Sequence, residues 1–272
     1  MIRKLTTISP WYLEIREICR TLEYASEKET IKRLESLLEK PDVQIFGVFR
    51  KERMTGIFAF LMLADEQYME MLIGLACLQN AFEEIAQYLE ENYAGWQADL
   101  VFNPADTALR NTLMRREAEF FTEQVKMRLV KKGCCTDTDG ILPFCEPYAK
   151  QYYAIHEKDL YWTGEKAAAA LERFNIFLAV DHDVVCGYID VTNCYEENEP
   201  FSLLVVPEYR QRGWGRKLLA KAIESNGSSG MALQVDVDNI PAIRLYESAG
   251  FVKVPGGISQ AATWHIPLSR KK

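Results

Sequence analysis

One sequence feature restricts the fold more than any other. A strand ends at a proline, and a glycine-rich turn and an amphipathic helix follow it. Residues 199–207 have the strand pattern, and Pro207 stops the ladder because it has no N–H to donate. After the turn at Arg210–Gly215, one apolar stripe at helical spacing comprises Trp214, Leu218, Leu219, Ala222 and Ile223. This order predicts a strand that passes through a tight turn directly into the first turn of a helix.

A turn of this kind can bind an anion. The first turn of a helix has N–H groups without intrahelical partners and carries the positive end of the helix dipole. Glycines let the backbone approach a phosphate closely, and Arg210, Arg212 and Arg216 add positive charge. Taken alone, Gly213-x-Gly215 fits a pyrophosphate cradle and equally a tight turn with surface arginines. A P-loop is excluded because the chain has no GxxxxGK[ST] segment there.

A second patterned block follows the helix. Residues 233–239 alternate as a strand does, and Asn239 is placed as the N-cap of another helix, with Pro241 in its first turn. Gly250 is a suitable stop for that helix, and Phe251 begins the next strand.

Together the two blocks resemble the GNAT (GCN5-related N-acetyltransferase) family. Residues 205–219 are similar to its V-x-P-x-[YF]-[RQ]-x-x-G-[IVW]-[GA] motif, and residues 239–251 to its N-x-x-A-x-x-x-Y-x-x-x-G-F block. The resemblance covers roughly residues 140–270 and implies binding of acetyl-CoA. The implied cofactor-binding residues are Leu204, Val205 and Val206 along the pantetheine arm, Arg210, Gln211, Arg212, Gly213, Trp214, Gly215 and Arg216 around the pyrophosphate, and Asn239, Ala242 and Tyr246 in the second block.

The resemblance also implies a mechanism, in which a free amine attacks a thioester within a ternary complex. Tyr246 matches the family tyrosine and is the expected general acid for the leaving thiolate; otherwise it is a helix tyrosine that packs on the sheet. The chain departs from the family at the usual position of the base, where Phe201 and Ser202 are the nearest residues and neither is a base. Glu199, just upstream, is the expected base and would act through water, but the acidic segment at 196–199 fits a solvated loop equally well. Asp190 is a further option for the base.

Two segments of the chain match each other, which favours a duplicated domain; the alternative is an N-terminal α/β domain unrelated to the second. Residues 45–49 and 54–60 form a hairpin pattern around a charged turn, and residues 176–180 and 184–190 repeat it at an offset of 131 positions. Turn-forming residues cluster at 131–140, which suggests two domains, 1–135 and 136–272. The expected fold is α/β (α+β, mixed sheet): two tandem GNAT-like domains, each a mixed, mostly antiparallel sheet flanked by helices.

The first half departs from the family pattern. At the same offset, Gly213 falls on Phe82, Gly215 on Glu84, Arg210 on Gln79 and Tyr246 on Arg115. A phenylalanine cannot cradle a pyrophosphate, and a glutamate repels one. The first half is therefore expected to be a degenerate, non-catalytic copy.

Composition bears on partners and location. The formal net charge is −7 and the pI is about 5.2, which argues against non-specific nucleic-acid binding. The 7 scattered cysteines suggest reduced thiols, and the spacing of cysteines and histidines predicts no metal site. No signal-peptide pattern or membrane-length apolar run occurs, so the expected location is cytoplasmic.

The leading functional hypothesis is an N-acyltransferase that moves an acetyl group from acetyl-CoA to a primary amine of a small molecule or peptide. The alternative is an acyl-CoA-binding sensor or scaffold without turnover. A nucleotide-phosphate-binding module is disfavoured because the second block matches the family at its expected distance.

Overall fold

A computed structural model describes residues 1–22, 24–130, 137–158, 162–227 and 229–268. The chain forms two compact units, one made of residues 1–124 and 256–272 and the other of residues 125–255. The predicted boundary between residues 135 and 136 lies outside the described residues. The C-terminal segment, predicted to belong to the second half, is grouped with the first unit.

The first unit is a mixed sheet with helices on both faces. Its elements are β1 (Ile2–Leu5), α1 (Tyr12–Arg20), α2 (Glu27–Leu38), β2 (Val43–Arg50), β3 (Arg53–Leu63), β4 (Tyr68–Ala76), α3 (Asn80–Asn92), β5 (Gln97–Phe102), α4 (Thr107–Met114), β6 (Glu119–Phe120) and the later part of β14 (Phe251–His265). The strand order is β1-β2-β3-β4-β5-β14, with β6 also paired to β14. The β4–β5 pair is parallel, whereas β1–β2, β2–β3, β3–β4 and β5–β14 are antiparallel.

The second unit repeats this plan. Its elements are β7 (Gln124–Leu129), β8 (Ile141–Pro143), α5 (Ala149–Ile155), α6 (Gly164–Ala168), β9 (Phe174–Asp181), β10 (Val184–Thr192), β11 (Glu197–Asn198), β12 (Pro200–Val205), α7 (Trp214–Ser225), β13 (Gly230–Asp236), α8 (Ile240–Ser248) and the start of β14. The strands form two groups, β12-β10-β9-β8 and β14-β7-β13-β11. The expected fold, two tandem mixed sheets flanked by helices, is confirmed.

Alternation along the central strands explains the layers. In β3, Phe58 and Phe60 pack with α3 and α4, while Ile57 and Ala59 pack with α1 and α2 on the opposite face. In β10, Ile189 faces the core under α7 and α8, and alternate residues face α5 and α6. Strands buried on both faces therefore appear as nearly continuous apolar runs.

The two predicted hairpins have matching backbones. Lys51 and Glu52 have φ of 46° and 63°, and His182 and Asp183, 131 positions later, have φ of 46° and 64°. A two-residue turn with positive φ at both positions is the type I′ geometry, which matches the twist of the flanking strands. No helix in the described part of the chain combines the length and apolar character needed to cross a membrane.

Candidate active site

The glycine-rich turn lies between β12 and α7. A short 3₁₀ turn at Pro207–Tyr209 follows β12, and the chain then passes through two left-handed residues, Gln211 (φ 60°) and Gly213 (φ 88°). Gly213 is the N-cap of α7, and a side chain there would meet no atom within 4 Å. The glycine is therefore required by its backbone conformation, and the space beside it is open.

The backbone donors of this turn are unused. Within the described residues, the N–H groups of 211–216 have no hydrogen-bond acceptor. Two arginines hold the turn in shape: Arg210 Nε donates to the Val205 carbonyl at 2.9 Å, and the Arg212 guanidinium lies 5.2 Å from the Tyr209 ring centroid. The structure thus brings together unpaired N–H groups, a helix N-terminus and positive charge, which suits a pyrophosphate.

One edge of β12 is unpaired among the described strands, and we call the space beside that edge the cleft. The short strand β11 is paired with β13 through Glu197↔Gly230 and Asn198↔Met231, whereas β12 is paired only with β10 among the strands that the structure describes. The Val206 N–H donates to the Cys186 carbonyl of β10 at 2.9 Å. Because backbone direction alternates along a strand, the N–H groups of residues 203 and 205 point to the opposite, open edge. An extended ligand with amide groups can bind along this edge.

Glu199 lies between β11, which pairs with β13, and β12, which pairs with β10. Its side chain is exposed to solvent, yet the protein atoms around the cleft displace enough water to raise the pKa of its carboxyl. A hydrogen bond from the Gln234 backbone and the charge of Lys126 act in the opposite direction. The neighbouring Glu197 is ion-paired to Arg128 at 2.5 Å and to Lys126 at 3.3 Å. The predicted acidic segment therefore contains one structural carboxylate and one that faces the cleft.

Tyr246 faces the same region from α8. It is 9% exposed and packs edge-on against Phe251, with ring centroids 5.7 Å apart. Burial, together with the negative charge of Glu199, raises the pKa of Tyr246 to about 12. Its hydroxyl has no hydrogen-bond partner among the described residues. The tyrosine is thus packed in the core while its hydroxyl stays protonated and able to donate.

Asn239 is the predicted helix cap. Its Oδ1 accepts the Ala242 N–H at 3.2 Å, which fixes the start of α8 and the direction of Tyr246. In the first unit Asp106 caps α4 in the same way, accepting the Leu109 N–H at 3.1 Å.

A buried polar cluster in this unit was not predicted. Asp190 is fully buried and accepts hydrogen bonds from the Tyr152 hydroxyl at 3.0 and 2.9 Å, while His156 Nε2 lies 2.8 Å from its Oδ2. The His156 ring stacks on Tyr188, whose hydroxyl lies 3.0 Å from Ser202 Oγ on β12. Asp190 is buried and cannot reach a group in solvent, whereas Glu199 is exposed.

One proton is shared within this cluster. His156 Nδ1 donates to the Glu157 carbonyl at 2.9 Å, so a proton must also lie between Nε2 and Asp190. Burial lowers the pKa of His156, but the hydrogen bonds to Asp190 and Glu157 outweigh it and raise the pKa overall. Burial raises the pKa of Asp190, and the bonds from His156 and Tyr152 offset only part of that rise. The pair is neutral overall, as its burial requires.

The described residues of the first unit contain no corresponding turn before α3. Helix α3 begins at Asn80, and Phe82 is 2% exposed in the core rather than placed in a loop. The Glu84 carboxylate lies 3.2 Å from the N-terminal ammonium. The N-caps of α4 and α8, Asp106 and Asn239, are 133 positions apart, two more than the offset between the hairpins. At this offset Leu113 occupies the position of Tyr246, so the predicted match with Arg115 is wrong.

Comparisons with known proteins agree with this geometry. Residues 142–251 match the model of the acetyltransferase (GNAT) family. This part of the second unit is therefore similar to GNAT domains in sequence.

Curated relatives match only part of the chain, as two of them show. An uncharacterized protein of Mycobacterium leprae is 36% identical over 97 residues, which are 32% of this chain and 27% of that protein. The [ribosomal protein bS18]-alanine N-acetyltransferase of Escherichia coli is 32% identical over 83 residues, 29% of this chain and 56% of the enzyme. The chain thus spans about half or less of the length of these relatives.

Several solved structures match nearly the whole chain, and two of them illustrate the likeness. A GCN5-related N-acetyltransferase from Sphaerobacter thermophilus has a TM-score of 0.64 at 14% identity, covering 98% of this chain and 96% of that one. A tandem GNAT protein from the clavulanic acid biosynthesis pathway has a TM-score of 0.50 at 11% identity, covering 97% of both chains. At these identities the likeness concerns the fold alone.

Proposed function

We propose that the second unit is an N-acetyltransferase that moves an acetyl group from acetyl-CoA to a primary amine within a ternary complex. One observation carries the proposal: β12 separates from β13, and Glu199 and Tyr246 lie at the resulting cleft. The family match supports the reaction class, while the acetyl donor, the amine acceptor and the residue roles are our inference.

The described residues fit acetyl-CoA. The unpaired N–H groups of 211–216 suit its pyrophosphate, with Arg212 and Arg216 adding charge, and the open edge of β12 suits the amides of its pantetheine arm. Acetyl-CoA supplies an activated thioester. Arg210 holds the Val205 carbonyl, so the N–H groups of 203 and 205 are the readily accessible contacts on this edge.

The chain's residues have two proton-transfer tasks. An alkyl ammonium has a pKa near 10.4 and must lose a proton before its nitrogen can attack a carbonyl. Glu199 is solvent-accessible and has a raised pKa, which suits a base that acts through water. Tyr246 remains protonated and can donate its proton to the departing thiolate. An N–H at the open edge of β12 can polarise the thioester carbonyl.

The test is an acetyl-transfer assay that follows thiol release. The acceptor panel contains amino acids, polyamines, aminosugars, lysine peptides and a peptide with an N-terminal alanine. The last is included because a relative acts on ribosomal protein bS18 alanine. Tyr246→Phe and Glu199→Gln are each expected to lower kcat about 100-fold or more, with acetyl-CoA affinity nearly unchanged. Tyr153→Phe, which changes a tyrosine outside the cleft, serves as the control.

The outcomes separate the two candidate functions. Tight acetyl-CoA binding with no transfer to any acceptor would favour the sensor or scaffold. An unchanged kcat in Tyr246→Phe would remove the general-acid role. Failure to bind acetyl-CoA would refute both functions.

A further inference from the structure

The first unit contains a cavity of about 320 Å³ that the proposed acetyl transfer does not use. It lies between the ends of two strands, with residues 72–75 of β4 on one side and 101–103 of β5 on the other. Helix α2 and the capping residue of α4 complete its wall. All of these residues belong to the unit that lacks the glycine-rich turn.

The cavity arises because β4 and β5 diverge. They pair in parallel from Tyr68↔Gln97 to Met71↔Leu100 and no further. The Cys77 N–H donates to the Thr55 carbonyl at 3.0 Å and therefore points toward β3. Because the direction of backbone groups alternates along a strand, the N–H and C=O of Gly74 point away from β3 and into the gap. The cavity wall therefore offers one backbone donor and one backbone acceptor side by side.

Charged groups of both signs surround this gap. Asp106 is 8% exposed and accepts hydrogen bonds from the Tyr24 hydroxyl at 3.1 Å and from the Leu109 N–H at 3.1 Å. Burial raises the pKa of its carboxyl, since no cation of the described chain is paired with it. At the exposed rim, Glu29 and Arg33 lie one helical turn apart on α2, and no ion pair within the described residues includes either.

We propose that this cavity binds a free amino acid or a close zwitterionic analogue. The ligand's ammonium binds near Asp106 and Glu29, and its carboxylate binds the Arg33 guanidinium, which is suited to bidentate contact. Gly74 supplies the backbone donor and acceptor, and apolar side chains of β4 and β5, such as Ile73 and Phe102, contact the ligand's body. The volume is near the lower limit for small-molecule sites, which favours a ligand of this size over a nucleotide cofactor.

Charge also disfavours a phosphate ligand. Two carboxylates line the cavity against one guanidinium, and residues 77–94 contain no glycine that could form a phosphate-binding turn. A zwitterion satisfies both signs of charge, whereas a polyanion satisfies only one. The proposed ligand binds here without being acetylated, so this site would give the chain a second, independent specificity.

The experiment is isothermal titration of the full chain with each of the 20 standard amino acids. For each binder, the corresponding decarboxylated amine and deaminated acid are titrated in parallel. Arg33→Ala and Asp106→Asn are the test variants. Asparagine is also a good N-cap, so Asp106→Asn keeps α4 capped while it removes the negative charge. Arg16→Ala, an exposed arginine on α1 outside the cavity, is the matched control.

At least one amino acid is expected to bind, and each test variant is expected to weaken it about tenfold or more, because a charge-assisted hydrogen bond is lost. Arg16→Ala should leave this affinity unchanged, and because Arg33 and Asp106 belong to the first unit, a loss confined to their variants separates the cavity from the acceptor site of the second unit. Absence of binding by all 20 amino acids would overturn the proposal. Wild-type affinity in both Arg33→Ala and Asp106→Asn would also overturn it. So would binding of the decarboxylated amine as tight as that of the amino acid itself.

Discussion

Replacing Asp190 with alanine tests the buried cluster of the second unit. The substitution removes the acceptor for the Tyr152 hydroxyl and the partner of His156 Nε2, which are 0% and 4% exposed. Removing one partner of a buried pair costs about 3–5 kcal/mol because the other polar groups stay buried without compensation. That is a large fraction of the roughly 5–15 kcal/mol by which a native protein is stable.

The same cluster predicts the direction of a pH effect. The pKa of His156 is raised in the folded protein above its ordinary value of 6.5, so the folded state keeps a proton that the unfolded chain loses. The stabilisation is fully present below pH 6.5 and is lost as pH rises through the folded pKa. Within that window the free energy of unfolding falls by at most about 1.4 kcal/mol per pH unit for one proton.

Asp190→Asn separates the charge effect from packing. An asparagine can accept from Tyr152 through its oxygen and donate to a neutral His156 through its nitrogen, so the hydrogen bonds are kept without a shared proton. This variant is expected to stay close to the wild type in stability but to lose the decline above pH 6.5. Glu172→Ala, which removes an exposed acid in the same unit, is the control.

The measurement is urea unfolding at pH values on both sides of 6.5, read by hydrogen exchange in peptides of β10 so that the second unit is followed separately. An Asp190→Ala protein as stable as the wild type would refute the energetic argument. A pH slope that persists in Asp190→Asn would refute the shared-proton assignment.

Two further substitutions test how the motif strand and its turn are held. A Cβ at Gly187 would lie 2.6 Å from the Leu204 carbonyl oxygen, so Gly187→Ala should cost about 1–3 kcal/mol by melting and raise the KM for acetyl-CoA. Gly56→Ala, at the same offset in the first unit, meets only side-chain atoms and should cost less; equal costs would contradict the backbone clash. Gly213→Asp should weaken acetyl-CoA binding about tenfold or more by calorimetry, because it places a negative charge beside the predicted pyrophosphate. Gly227→Asp is the control, because Gly227 also has a positive φ and open space beside it. A similar loss of acetyl-CoA affinity in that variant would indicate backbone strain as the cause.

The sequence predicted local features well. The hairpins, the turn before α7 and the caps of the last helices depend on residues close together in the chain, such as Pro207, Gly213 and Asn239. Their turn and capping chemistry is local, so it can be identified in one sequence. The matching φ values of the two hairpin turns follow from the same local rules.

Long-range pairing was harder to predict. The open edge of β12 depends on which strands it does not pair with, and the Asp190 cluster joins residues 34 and 38 positions apart. The one available sign was an aspartate inside the apolar run of β10, a position where a charge needs a buried partner. The cavity near Asp106 likewise arises from the divergence of two strands, which no motif encodes.

Strand β14 has a consequence for synthesis on the ribosome. Its residues from Gln260 to His265 pair with β5, and Trp264 is 1% exposed in the core of the first unit. The 131 residues of 125–255 are translated between the two parts of that unit, which takes roughly 7–26 s at typical rates. During this interval β5 has an unpaired edge of the kind that invites aggregation. The nascent first unit must therefore remain an incomplete intermediate until residues 260–265 have been translated.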